Sequence, residues 1–336
     1  MKFTLRCMTS DIATRVLITA LAVAALPAAA RAQTLTAAAR GCPPAPTTHV
    51  ASRTYVPSLG GVTKELAVIA PHEGWELGRI SWLATDRNDL IYLLQRGVRA
   101  DPIVVVNREG RVVRSWGKGL FNVPHSIRID ASGNVWTTDA YSSIVRKFSP
   151  KGRELLTIEV GDVPTACAWQ TRGATDIAFG PNEHVYVADG YANARIVEYM
   201  PDGQKVREWG TRGSGPGEFN LPHSIVVDEA GIIYVADREN SRVQRFSLDG
   251  TWLGEWSTGG KPYTIVLAPG GGLWVGMLVV TTANALEPTL ARIGRDNGAV
   301  TGSMIVSGGH GIAALRGSTQ LLIPSGNKVY LTSITR

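Results

Sequence analysis

Apolar and polar positions alternate with a period of two in short runs, and each run stops at Gly, Asn or Asp. The same unit appears three times in the middle of the chain. Residues 126–152 read SIRIDASGNVWTTDAYSSIVRKFSPKG, residues 176–203 read DIAFGPNEHVYVADGYANARIVEYMPDG, and residues 224–250 read SIVVDEAGIIYVADRENSRVQRFSLDG. Alternation at period two is the signature of strands. Each unit therefore predicts a strand, a tight turn, a second strand ending in Asp, a polar loop, a third strand and a final turn at Gly. An outer fourth strand follows, at 205–209 and at 251–256. Weaker copies cover 80–110, 265–298 and 312–334. The apolar residues opening the units are Ile80, Ile127, Ile177, Ile225, Ile265 and Ile312, spaced 40 to 50 residues apart. Four strands per unit at that period, with no helical periodicity, predict an all-β, six-bladed β-propeller. The last unit lacks an outer strand. The run ELAVIA at 65–70 is expected to supply it and so close the ring.

Composition changes the picture at the front of the chain. Lys2, Arg6 and Arg15 precede an apolar run at 16–30, and Ala30-Arg31-Ala32 is a small-residue cleavage pattern. Residues 1–32 therefore read as a signal peptide, and 33–60, rich in Ala, Pro and Thr, as a disordered lead-in. The propeller is expected over 61–336. The formal charge of the whole chain is +6, and without residues 1–32 it falls to +3. With no basic cluster interleaved with aromatics, nucleic acid is not an expected partner. A signal peptide implies a periplasmic or secreted protein with no stable membrane insertion after cleavage, and a monomer is expected. Two cysteines remain, Cys42 and Cys167, and an oxidising compartment leaves their pairing open.

Three of the six histidines share one repeat address. His125 stands in Phe-Asn-Val-Pro-His-Ser-Ile, His223 in Phe-Asn-Leu-Pro-His-Ser-Ile, and His310 in Ser-Gly-Gly-His-Gly-Ile. Two residues before the six openers come Gly78, His125, Thr175, His223, Tyr263 and His310, so the histidines fall on alternate blades. The innermost strand of a blade lines the central channel. Three imidazoles there form a pseudo-threefold ring, the donor set of a zinc site with an open fourth position. Each histidine alone reads equally well as a loop residue bonded to its neighbours. His49 and His72 fit no repeat address, and His184 reads as a solvated turn residue. Asp139, Asp189 and Asp237 end the second strand of three successive units, which suits a loop-bracing carboxylate better than a catalyst.

The tracts ADGYANARIVEY at 188–199, FNLPHSI at 219–225 and ADRENSRVQRF at 236–246 resemble the lyase domain of peptidylglycine α-amidating enzyme, an NHL-repeat propeller. The likeness spans roughly 80–334 and is strongest in blades two to four. It implies an enzyme that splits a peptidyl-α-hydroxyglycine into a peptide amide and glyoxylate. It also implies zinc on His125, His223 and His310, a catalytic Tyr191, and active-site arginines at Arg238 and Arg96. The partner would be a small-molecule or peptide substrate with an α-hydroxyglycine-type end. The chain departs from the family in places. The third histidine lies in Gly308-Gly309-His310-Gly311 where the family has Met-Pro-His-Asp. An active-site methionine is thus missing, as is an aspartate that helps hold a structural calcium. Ala192 and Arg245 replace two cysteines of the family's disulfides.

The chemistry suits these residues. A carbinolamide splits when its hydroxyl loses a proton and the C–N bond breaks. A zinc ion on neutral imidazoles lowers the pKa of a bound hydroxyl. A tyrosine collects a proton near neutral pH if cations such as Arg238 depress its pKa. Arginine also grips a carboxylate with two parallel bonds. Tyr141 occupies the address in the preceding unit that Tyr191 holds, so position alone does not separate catalyst from packing. Two other readings stay open: a different metal-dependent hydrolase or lyase on the same propeller, and a non-enzymatic NHL-repeat binding module.

Overall fold

The computed structural model describes residues 59–161, 173–267, 272–281, 285–316 and 318–335. The readings made for 1–32, for 33–58 and for Cys42 and Cys167 lie outside the described residues. Among the described residues the chain forms six four-stranded antiparallel sheets and one two-stranded parallel pair, Thr211–Arg212 with Glu218–Phe219. The only helical element among the described residues is a single 3₁₀ turn, Arg238–Asn240. This is the predicted six-bladed propeller.

Five blades are consecutive in sequence. Blade one runs from Ile80–Thr85 to Val112–Trp116, and blade two from Pro124–Ile129 to Glu154–Glu159. Blade three runs from Asp176–Phe179 to Lys205–Trp209, blade four from Pro222–Val227 to Trp252–Ser257, and blade five from Lys261–Leu267 to Val300–Ile305. Blade six takes Ala313–Ala314, Gln320–Ser325 and Lys328–Thr335 from the end of the chain and its outer strand, Gly60–Leu66, from the beginning. The pairing runs from Gly60 opposite Thr335 to Leu66 opposite Val329. Closure was expected from 65–70, and the strand lies five residues earlier. Six of its seven residues are exposed, so backbone hydrogen bonds place it, and no apolar pattern marks it.

Middle strands such as Val185–Asp189 and Ile233–Asp237 are buried throughout, whereas an outer strand such as Val112–Trp116 alternates half-buried and exposed positions. The difference follows from blade stacking, which covers both faces near the axis and leaves the rim wet. Six apolar clusters form the core, one in each seam between neighbouring blades. Trp136, Val145 and Ile158 of blade two meet Ile177, Val187 and Val197 of blade three. Leu322 and Val329 of blade six meet Leu83 and Leu93 of blade one, which completes the circle. Truncating such a side chain, Ile177→Ala for example, costs about 2–5 kcal/mol.

Strand register corrects one sequence alignment. Ser224 lies opposite Ala236, Asp176 opposite Ala188, and Trp82 opposite Leu94. Ser81, not Gly78, therefore holds the histidine address in blade one, and Leu83 rather than Ile80 is its true opener. A bulge between Ile80 and Trp82 displaces the apolar start.

Candidate functional site

The repeat address lies at the entrance of each innermost strand, on the channel axis. Bulges fall at this place in blades one, two, four and five. They turn the address residue out of the ladder and toward the axis. His125 and His223 are fully buried and His310 is part-buried. One ring nitrogen from each lies within 4.8 Å of the other two, close to the ~4 Å that two Zn–N bonds span.

The intervening blades hold the rings. His125 Nδ1 donates to Thr175 O at 2.6 Å, His223 Nδ1 to Tyr263 O at 2.6 Å, and His310 Nδ1 to Ser81 O at 2.9 Å. A carbonyl only accepts, so Nδ1 carries the proton in all three, and Nε2 presents its lone pair to the axis. Ser81, Thr175 and Tyr263 are the address residues of blades one, three and five. The six addresses thus alternate between ligand and clasp. Burial, reinforced by the nearby cationic groups, pushes His125 and His223 well below the ordinary imidazole value. Burial likewise lowers His310, to about 3. Three neutral, oriented imidazoles with unprotonated Nε2 atoms are a donor set that fits one zinc ion.

Tyr191 and both arginines reach the same place. The Tyr191 hydroxyl lies 2.9 Å from His125 Nε2 and 3.2 Å from His223 Nε2. Burial pushes it above the usual tyrosine value, while Arg238 and Arg96 pull the other way. The cations expected to depress it are present, but desolvation outweighs them. Arg238 faces Tyr191 and lies 4.8 Å from the centre of the Tyr263 ring. Its Nε is held by Glu239 at 2.8 Å, and Glu239 by Lys261 at 2.5 Å. Arg96 donates from Nε to Pro124 O, the residue before His125, at 3.0 Å. It also borders a 460 Å³ cavity that includes Val98, Lys118 and Phe121. Tyr141, by contrast, is 38% exposed.

The recurring aspartates brace loops, as read from the sequence. Asp139 accepts four backbone N–H groups, from Asn122, Val123, Tyr141 and Ser142. Asp237 accepts from Asn220 N, Asn240 and Arg242. His184 is not simply solvated, because its Nδ1 meets Glu198 at 2.6 Å. Sequence reasoning missed Tyr263 and Trp82. Tyr263 stood at the histidine address and carried that signal. Trp82 carried none, because its place on the axis depends on the shifted register of blade one.

Fold and site together define a six-bladed β-propeller with a three-histidine centre on its axis and a tyrosine and two arginines gathered around it. The NHL-repeat model matches residues 219–246. Peptidyl-glycine alpha-amidating monooxygenase of Mus musculus is 38% identical over 167 residues, covering 46% of this chain and 17% of that protein. A probable peptidyl-alpha-hydroxyglycine alpha-amidating lyase of Caenorhabditis elegans is 33% identical over 198 residues, covering 51% of this chain and 56% of that one. Homologues named as amidating lyases, which are carbon–nitrogen lyases, thus bear out the resemblance read from the sequence. NHL repeat-containing protein 3 of Homo sapiens is 31% identical over 199 residues, covering 55% of this chain and 57% of that protein. The chain spans from about a sixth to little more than half the length of these relatives. Among solved structures, a streptogramin B lyase matches with a TM-score of 0.56 at 14% identity, covering 82% of this chain and 98% of that one. At that identity the likeness concerns the fold.

Proposed function

We propose that this chain is a zinc-dependent carbon–nitrogen lyase, periplasmic or secreted, that cleaves peptidyl-α-hydroxyglycine-type carbinolamides to an amide and glyoxylate. The observation that carries the reading is the convergence of His125, His223 and His310 with Tyr191, whose hydroxyl lies within hydrogen-bond reach of two of the Nε2 atoms. His125, His223 and His310 would hold the zinc, which supplies Lewis acidity and lowers the pKa of the substrate hydroxyl.

In the reaction the carbinol O–H electron pair becomes the new C=O bond of glyoxylate. The C–N pair leaves with the amide nitrogen, which takes up a proton. As the phenolate, a form that the charge of a bound zinc with Arg238 and Arg96 would favour, Tyr191 would receive the hydroxyl proton and return it to that nitrogen. Arg238, fixed by Glu239 and Lys261, and Arg96, fixed on Pro124 O, orient the substrate carboxylate and face the charge that develops.

One observation favours a second reading, a related metal-dependent hydrolase or lyase with its own substrate. A Cβ on Gly308 would lie 2.2 Å from Pro324 O, so the family's methionine has no room at this position. The test is glyoxylate release from an α-hydroxyhippurate-type substrate by purified protein, with and without chelator. Chelator-sensitive release supports the lyase. Bound metal without release favours the second reading, and absence of both favours a binding module.

A further inference from the structure

One aromatic side chain packs against all three histidines. Trp82 is fully buried, and its ring centre lies 5.9 Å from that of His125, 6.3 Å from His223 and 5.7 Å from His310. It touches every member of the triad. The preceding residue, Ser81, clasps His310. Arg128, three residues beyond His125 on the same strand, sets its guanidinium 5.2 Å from the Trp82 ring centre. That guanidinium grips Asp176 with Nε at 3.0 Å and Nη2 at 2.5 Å, and Ser224 donates to the same carboxylate at 2.8 Å. Ser224 in turn accepts the N–H of Ile265. Blades one to five are thus joined across the axis through one indole and one buried ion pair.

This arrangement does not suit the family's structural calcium, which the replacement of its aspartate by Gly311 already puts in doubt. The family's calcium-binding aspartate is Gly311 here, and a Cβ on Gly311 would already lie 3.0 Å from Trp82. The nearby carboxylate, Asp176, is taken by Arg128. Any cation on this stretch of the axis would face a guanidinium and an indole N–H that finds no acceptor among the described residues. Calcium needs six to eight oxygen ligands, and the Asp176 carboxylate is already neutralised by Arg128.

We infer that Trp82, backed by Arg128, is a positioning residue for the three-histidine site and fills the channel in place of a second, structural cation. The inference rests on the metal reading of that site. An aromatic face against the three rings limits their rotation, and the Arg128 cation draws its stabilisation from that face and from Asp176.

Two measurements test it. Chelator-stripped wild type, Trp82→Leu and Trp82→Phe are each titrated with Co²⁺ alone, and the visible absorption of the bound ion is followed. Trp82→Leu is expected to weaken Co²⁺ by about tenfold or more and to alter the band shape, with Trp82→Phe recovering most of both. Separately, the zinc-loaded wild type is heated with and without millimolar Ca²⁺, and its Tm is expected to stay the same. A saturable rise in Tm with Ca²⁺ overturns the inference, as does Trp82→Leu binding Co²⁺ with wild-type affinity and spectrum. The calcium measurement needs no variant, so it decides even if Trp82→Leu does not fold. Failure of the wild type to bind Co²⁺ is a distinct result, and it removes the metal reading itself.

Discussion

His125 and Thr175 hold the same repeat address in adjacent blades, and the ring of the first donates to the carbonyl of the second at 2.6 Å. The relationship recurs between His223 and Tyr263 and between His310 and Ser81. Backbone carbonyls make these clasps, so no substitution at Ser81, Thr175 or Tyr263 deletes one directly. The tautomer of each imidazole is therefore a property of the ring of blades.

His223→Ala is expected to lose bound metal while the propeller stays folded. The six apolar seams hold the fold without the ion, and the variant should be destabilised by only about 1–3 kcal/mol. Metal analysis after dialysis, with circular dichroism on the same sample, checks both halves. Wild-type zinc content in the triple His→Ala variant would remove His125, His223 and His310 as ligands.

Tyr191→Phe removes a single hydroxyl and should lower kcat by about 10²–10⁴, with metal content and Tm nearly unchanged. Tyr141→Phe is the control, since Tyr141 has the equivalent address but is exposed. Steady-state glyoxylate release by the two variants separates catalysis from packing. Equal behaviour of the pair counts against Tyr191.

Gly190→Ala should damage the site without touching a functional side chain. The new Cβ would lie 1.8 Å from Pro222 O, between the residue before Tyr191 and the residue before His223. Relieving that overlap moves Tyr191 and His223 apart, at a cost of about 1–3 kcal/mol for overpacking. Both kcat and metal affinity are expected to fall together, which turnover and Co²⁺ titration will show.

Asp139→Ala leaves four backbone N–H groups without their acceptor. We expect a loss of at least about 1–3 kcal/mol, seen in denaturant unfolding, with kcat per folded molecule close to wild type. A large drop in kcat at unchanged stability would give Asp139 a chemical role instead.

The sequence carried some of this site plainly and other parts not at all. His125 and His223 repeat inside nearly identical heptapeptides, so their shared address was visible. Blade one offered two apolar openers, Ile80 and Leu83, and only strand register chooses between them. That three-residue ambiguity hid Ser81 as a clasp and Trp82 as the channel filler. The closing strand Gly60–Leu66 is mostly exposed and binds through its backbone, and sequence periodicity does not record such pairing. Arg238 was legible from its motif, but Lys261, which fixes it through Glu239, comes from another blade.

Ring closure also has a consequence for biosynthesis. Gly60–Leu66 leaves the ribosome before any blade is complete and waits for Lys328–Thr335, the strand it must latch onto. His310 belongs to that same final blade. A nascent chain with five finished blades therefore holds only two of the three imidazoles in place. If the three rings hold a metal as proposed, full affinity would arrive with the latch, and metal uptake would report ring closure.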